Sequence, residues 1–153
     1  AAELIADGLS INAIKEAVTN KIAKTQLFAM INQMDSLVRS GRVPKIAGKF
    51  VQFAGIKPII TLDKNGRAIL YDKAFSETKA LAKMIEQVKT LIQEHGGIEN
   101  YCILHTGAPD KAQEFALLTT QVFGHEPAFI EPAATAIGLH AGNDSIALAA
   151  MFL

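Results

Sequence analysis

The residue types that could do chemistry in this chain are concentrated in two short segments. In the first, Arg39 and Arg42 flank a Ser-Gly pair. Arginine suits a carboxylate or a phosphate because its planar guanidinium donates two parallel hydrogen bonds. The alternative is that both arginines end a helix and face water, where their charge complements the helix dipole.

The second segment, 132–145, contains His140 between two glycines, Gly138 and Gly142. The pattern predicts a loop before a buried strand, where the backbone can approach a ligand closely. A histidine in such a loop can donate a hydrogen bond to a carboxylate at neutral pH. The alternative is that His140 only satisfies a loop carbonyl.

Common catalytic and metal-binding patterns are missing from the sequence. His140, Asp144 and Ser145 are close in sequence, but a catalytic triad is recognised by geometry and no G-x-S-x-G motif is present. The histidines show no H-x-x-x-H or H-E-x-x-H spacing, and there is no Walker loop or G-x-G-x-x-G motif. We therefore expect no catalytic residue, no metal and no cofactor.

An apolar helix predicted over 44–54 begins at Pro44, which suits the first turn of a helix. Phe50 and Phe53 lie three residues apart and so share a face, with Ile46 near it. Such a face normally belongs to a core. Alternatively, it forms the wall of an apolar pocket with a few polar groups at one end.

Composition limits the class of protein. The 153 residues suit one domain, and the 15 basic and 15 acidic residues cancel, which argues against a nucleic-acid partner. The hydrophobic fraction of 50% predicts a large core, or else apolar surface in a pocket or against a partner. No stretch has the length of a membrane span, and the single cysteine fits a reducing compartment. We expect a soluble cytoplasmic protein.

Hydrophobic periodicity predicts helices that alternate with strands. The predicted helices cover 11–24, 35–39, 44–54, 76–95 and 109–123. The predicted strands cover 25–31, 57–62, 68–75, 101–105, 128–131 and 145–153. The turn 63–66 predicts a hairpin, so the expected fold is one α/β domain over 1–153 with a mixed sheet flanked by helices. Residues 1–8 are expected to be the end of a helix that links to a missing N-terminal domain.

Three segments together resemble the C-terminal domain of the DegV family. They are 35–43 (DSLVRSGRV), 55–62 (GIKPIITL) with Asn65-Gly66, and 136–142 (AIGLHAG). The resemblance implies the bacterial EDD fold, in which a long-chain fatty acid is bound between two α/β domains. It also implies that some members carry lipid for a fatty acid kinase, whose separate subunit transfers phosphate from ATP to the bound carboxylate.

The resemblance also assigns residues. It implies that His140 matches the residue that contacts the carboxylate, and that Arg42 matches an arginine near the carboxylate end and the kinase-facing surface. The candidate ligand-binding residues are therefore His140, Arg42, Gly142, Phe50, Phe53 and Ile46. The chain would be noncatalytic and would hold at most half a site, because the family's N-terminal domain supplies further Ser and Thr contacts.

The sequence departs from the family pattern at two places, and the first of them favours a rival interpretation. Asn143-Asp144 replaces the usual Pro-Gly pair, and Ser40 stands where glycine is common. An aspartate close to the head group would disfavour a lipid carboxylate unless it points away. The rival is a structural or regulatory domain that has lost its ligand and mediates assembly.

Overall fold

A computed structural model of the chain describes residues 1–33 and 55–153. Helices and strands alternate through these residues, as the sequence predicts. The helices are α1 (Ala2–Ala6), α2 (Ile11–Ala23), α3 (Glu77–His95), α4 (Pro109–Phe123) and α5 (Thr135–Ala141). The strands are β1 (Thr25–Met30), β2 (Lys57–Leu62), β3 (Ala68–Ala74), β4 (Ile98–His105), β5 (Ile130–Pro132) and β6 (Ile146–Phe152).

The strands form one sheet in the order β3-β2-β1-β6-β4-β5. Strand β5 pairs with β4 in parallel, and the other neighbouring strands pair antiparallel. Strand β6 therefore lies in the interior of the sheet, between β1 and β4. The predicted α/β fold with a mixed sheet is confirmed.

Local capping explains where several helices begin and end. The Ser10 and Ser76 hydroxyls accept hydrogen bonds from the backbone N–H groups of Ala13 and Lys79, each at 3.3 Å, which satisfies otherwise unpaired donors at the starts of α2 and α3. Helix α3 ends at Gly96, whose φ of 78° is a left-handed conformation that glycine adopts without strain.

The β2–β3 turn is held by the carboxylate of Asp63. It accepts hydrogen bonds from the backbone N–H groups of Asn65 at 2.8 Å and Arg67 at 2.9 Å. The hydrogen bond from Arg67 is the main reason that the pKa of Asp63 lies below its usual value. Gly66, with a φ of 73°, completes the predicted turn.

The main hydrophobic core lies on the face of the sheet that α3 and α4 cover. Alternate residues of β6 point into it, so that Ile146, Leu148, Ala150 and Phe152 are buried while the residues between them are half-buried. Met84 from α3 and Phe115 from α4 fill the space above the sheet. A smaller cluster on the described chain joins Ile31, Ile60 and Ala141.

The largest differences from the predicted elements are in β4, in β5 and in the segment 132–145. Strand β4 begins at Ile98 rather than at residue 101, and β5 covers 130–132 rather than 128–131. The segment 132–145, predicted as a loop, contains α5. The low helix propensity of Gly138 hid this helix, whose end is held by hydrogen bonds from the Thr106 and Ser145 hydroxyls. The predicted helices 35–39 and 44–54 lie outside the described residues.

No helix within the two described ranges has the length and apolar character that crossing a membrane requires.

Candidate functional site

Four strands bring their ends together at one edge of the sheet. The end of β1, the end of β4 and the start of β6 are level, because Met30 and His105 are both register partners of Ile146. His105 is also the register partner of Pro132, at the end of parallel strand β5. Segments that leave the sheet at this edge therefore start close together, as ligand-binding segments of open α/β sheets commonly do.

A hydrogen-bonded network joins the segments at this edge. The Thr106 hydroxyl donates to the Gly142 carbonyl at 2.6 Å and accepts from the Ser145 N–H at 2.9 Å. The Ser145 hydroxyl donates to the Ala141 carbonyl at 2.9 Å and accepts from the Asn32 N–H at 3.1 Å. The end of α5 is thereby fixed to the ends of β4 and β1.

Lys57 supports the same network from β2. Its ammonium donates to the Asn32 side-chain oxygen at 2.5 Å and to the Asn32 carbonyl at 3.2 Å. These contacts hold the backbone that follows β1 at the edge of the sheet.

These segments enclose a cleft of about 730 Å³, which we call the sheet-edge cleft. Its described lining comes from the ends of β1, β4 and β5, from α5 and from the residues that follow α5. The lining residues are Gln33, His105, Thr106, Gly107, Pro132, Ala133, Thr135, Gly138, Leu139, His140, Gly142 and Asn143. The volume is within the usual range for small-molecule sites, about 300–1,000 Å³.

Acidic side chains are absent from the described lining of the cleft. Asp144 is not part of that lining and acts on Lys111 instead. The hydrogen bond to Glu77 is the main reason that the pKa of Lys111 is raised, and the charge of Asp144 adds to this shift. The departure at Asp144 therefore does not place a carboxylate among the described residues of the cleft.

His140 lies in the cleft, in the last turn of α5 rather than in a loop. Its Nδ1 is buried and has no hydrogen-bond partner in the part of the chain that the structure describes. Gly142 ends α5 with φ 71° and ψ 174°, a conformation that is essentially restricted to glycine.

His105 also lies in the cleft, although the sequence pattern tests it only as a metal ligand. His105 is the last residue of β4, just before Gly107 and the Pro109 that starts α4. The sequence signal for such a site residue is a polar residue at the end of a predicted strand, directly before the start of a helix. The spacing of the histidines along the sequence does not reveal this position.

The other predicted site residues lie outside the described residues. They are Arg42, Ile46, Phe50 and Phe53. Among the residues that the structure describes, no group of three or more His, Cys, Asp or Glu side chains could hold a metal ion.

Comparison with known proteins decides the family. A family model described as uncharacterised proteins of the DegV family matches residues 1–153. The chain belongs to the DegV family. The resemblance seen in the three sequence segments is thus confirmed over the whole chain.

Related DegV domain-containing proteins come from bacteria. One from Streptococcus pyogenes is 31% identical over 105 residues, which cover 69% of this chain and 36% of the relative. One from Streptococcus pneumoniae is 29% identical over 136 residues, which cover 89% of this chain and 48% of the relative. The chain spans about half the length of these relatives or less.

Several solved structures, among them DegV family proteins, share the fold. A fatty acid binding DegV family protein from Streptococcus agalactiae superposes with a TM-score of 0.84 at 24% identity, covering 99% of this chain and 53% of that one. A stearic acid-binding protein from Eubacterium ventriosum gives a TM-score of 0.87 at 18% identity, covering 98% and 52%. A DegV family protein from Eubacterium eligens loaded with heptadecanoic acid gives 0.82 at 21% identity, covering 99% and 54%.

Proposed function

We propose that this DegV chain helps to bind a long-chain fatty acid, with the carboxylate in the sheet-edge cleft. The observation that carries the proposal is the position of His140 in a cleft whose described lining has no carboxylate. A histidine there can donate a hydrogen bond to the ligand carboxylate, and none of the described lining residues carries a carboxylate that would oppose binding. The ligand class is supported by the fatty acids bound to proteins of the same fold.

The rest of the site is assigned by resemblance. We propose that Ile46, Phe50 and Phe53 contact the acyl chain, that Gly142 brings backbone close to the head group, and that a second domain completes the site. An apolar wall with a few polar groups at one end is the usual construction of a site for such a ligand.

We further propose that the bound acid is presented to a separate ATP-dependent kinase subunit, so that this chain is itself noncatalytic. Arg42 would lie near the carboxylate end and face the kinase. Its guanidinium suits either the carboxylate or the transferred phosphate, because it can donate two parallel hydrogen bonds.

Native mass spectrometry of the full-length protein purified from cells tests the binding proposal. We expect a co-purified mass that corresponds to a fatty acid and is released by denaturation. If the protein is folded and neither carries nor takes up a fatty acid, the binding proposal is wrong and the rival role in assembly is favoured.

His140→Ala tests the head-group position. Loss of a hydrogen bond to a charged group costs about 1.5–3 kcal/mol, so fatty acid affinity should fall roughly 10- to 100-fold. The matched control is His95→Ala, because His95 ends α3, just before the start of β4 and away from the cleft. An unchanged affinity in folded His140→Ala would remove His140 from the site.

Arg42→Ala separates binding from presentation. If Arg42 faces the kinase, the variant should bind fatty acid with nearly normal affinity but support much slower phosphorylation. The measurement is a binding titration together with an assay of acyl phosphate formation by the kinase subunit. Poor binding with normal phosphorylation of the bound acid would place Arg42 in the binding site instead.

A further inference from the structure

His105 has a defined orientation at the end of β4. The side chain is only 8% exposed, and its Nδ1 accepts a hydrogen bond from the backbone N–H of Ala108 at 3.2 Å. A ring nitrogen that accepts a hydrogen bond carries no proton, so the neutral ring carries its proton on Nε2. The fold therefore makes Nε2 of His105 a hydrogen-bond donor.

The Nε2 donor is available to a ligand. Among the described residues, no group accepts a hydrogen bond from it, and the ring nitrogens that are both fully buried and unpartnered are His125 Nε2 and His140 Nδ1. His105 itself is one of the residues that line the sheet-edge cleft.

The start of α4 lies beside this donor. Ala108 is the N-cap residue and makes no side-chain cap, so the positive end of a 15-residue helix is left without a capping side chain. Asp110 in the first turn is exposed and is not part of the described cleft lining. The helix thus favours negative charge on the same side of the cleft as His105.

We infer that His105 is a second hydrogen-bond donor to the ligand carboxylate, acting through Nε2 while His140 contacts the same head group. This inference rests on the proposed fatty acid site. A carboxylate has two oxygens that accept hydrogen bonds, so it can accept one from each histidine. A neutral head group would gain less from these two donors, because hydrogen bonds to charged groups are the stronger ones.

Two substitutions separate a donor role from a purely structural role. His105→Asn places an oxygen where Nδ1 was, which can still accept from Ala108, but it cannot reach the position of Nε2. His105→Gln places an amide N–H near the position of Nε2, but it gives up the acceptor at Nδ1. Each variant therefore removes one of the two functions of the ring.

The assay compares palmitic acid with its methyl ester in binding titrations of the delipidated full-length protein. His95→Gln is the control, because His95 stacks on Phe152 at 5.1 Å instead of lining the cleft. We expect His105→Asn to lose roughly 10- to 100-fold in affinity for the acid and a smaller factor for the ester. His105→Gln should retain more of the preference for the acid, and His95→Gln should match the wild type.

Opposite results would overturn the inference. Normal acid binding by His105→Asn, together with weak binding of both ligands by His105→Gln, would make His105 only an acceptor for Ala108. Equal losses for acid and ester in both variants would also indicate a structural role. A wild type that binds acid and ester equally refutes carboxylate recognition, whereas one that binds neither refutes the proposed function itself.

Discussion

Thr106→Val should destabilise the protein strongly although it hardly changes the size of the side chain. The hydroxyl of Thr106 is the partner of both the Gly142 carbonyl and the Ser145 N–H. Valine can make neither hydrogen bond, and it leaves two part-buried polar groups without that partner. Each such group costs about 1–3 kcal/mol, so we expect a loss of about 2–6 kcal/mol in the free energy of unfolding.

Urea unfolding of the full-length protein, followed by circular dichroism, measures this loss. The urea concentration at the midpoint of unfolding should fall. The slope of the unfolding free energy against urea concentration should stay constant, since the surface exposed on unfolding is unchanged. Thr106→Ser retains the hydroxyl and should recover most of the stability.

The matched control is Thr90→Val on α3. The Thr90 hydroxyl donates to the Glu86 carbonyl at 3.0 Å, but this hydrogen bond is exposed to water, which can replace it. We expect a change within about 0.5 kcal/mol. If Thr106→Val cost no more than Thr90→Val, the network at the sheet edge would not stabilise the fold.

Two further predictions concern the backbone. Gly142→Ala should cost about 1–3 kcal/mol in urea unfolding, because alanine is strained at φ 71° and ψ 174°; an unchanged midpoint would contradict that conformation. The second is a pH dependence at Asp63. The pKa of Asp63 is lower in the folded protein than its ordinary value of 3.8. The charged carboxylate therefore stabilises the fold above pH 3.8, and this stabilisation is lost as the pH falls through the pKa of the folded protein. The difference in the free energy of unfolding between wild type and Asp63→Asn should therefore shrink as the pH falls from roughly 5 to 2. A difference that stays constant over this range would show that the charge of Asp63 does not stabilise the turn.

Much of the fold could be predicted from the sequence because its signals are local. Ser76 caps α3 and Gly96 ends it, as the sequence indicates. Asp63 and Gly66 form the predicted turn, which fixes β2 against β3. In these places a few adjacent residues determine the backbone conformation.

The sheet-edge cleft depends instead on contacts that are distant in sequence. Thr106 and Gly142 are 36 residues apart, and Asn32 and Ser145 are 113 apart. No periodicity reveals these hydrogen bonds. The role of Ala108 in fixing the His105 ring likewise requires coordinates, because the sequence shows only a histidine at the end of a strand.

The interior position of β6 has a consequence for how the protein folds. This strand follows every other described strand in sequence, yet it separates β1 from β4 in the sheet. During synthesis, the three strands β3-β2-β1 and the pair β4-β5 can form, but they cannot join into one sheet until β6 emerges from the ribosome. Until then, both halves expose strand edges that can pair with other chains. We therefore expect ribosome-bound chains that end before residue 146 to be sensitive to protease and prone to aggregation.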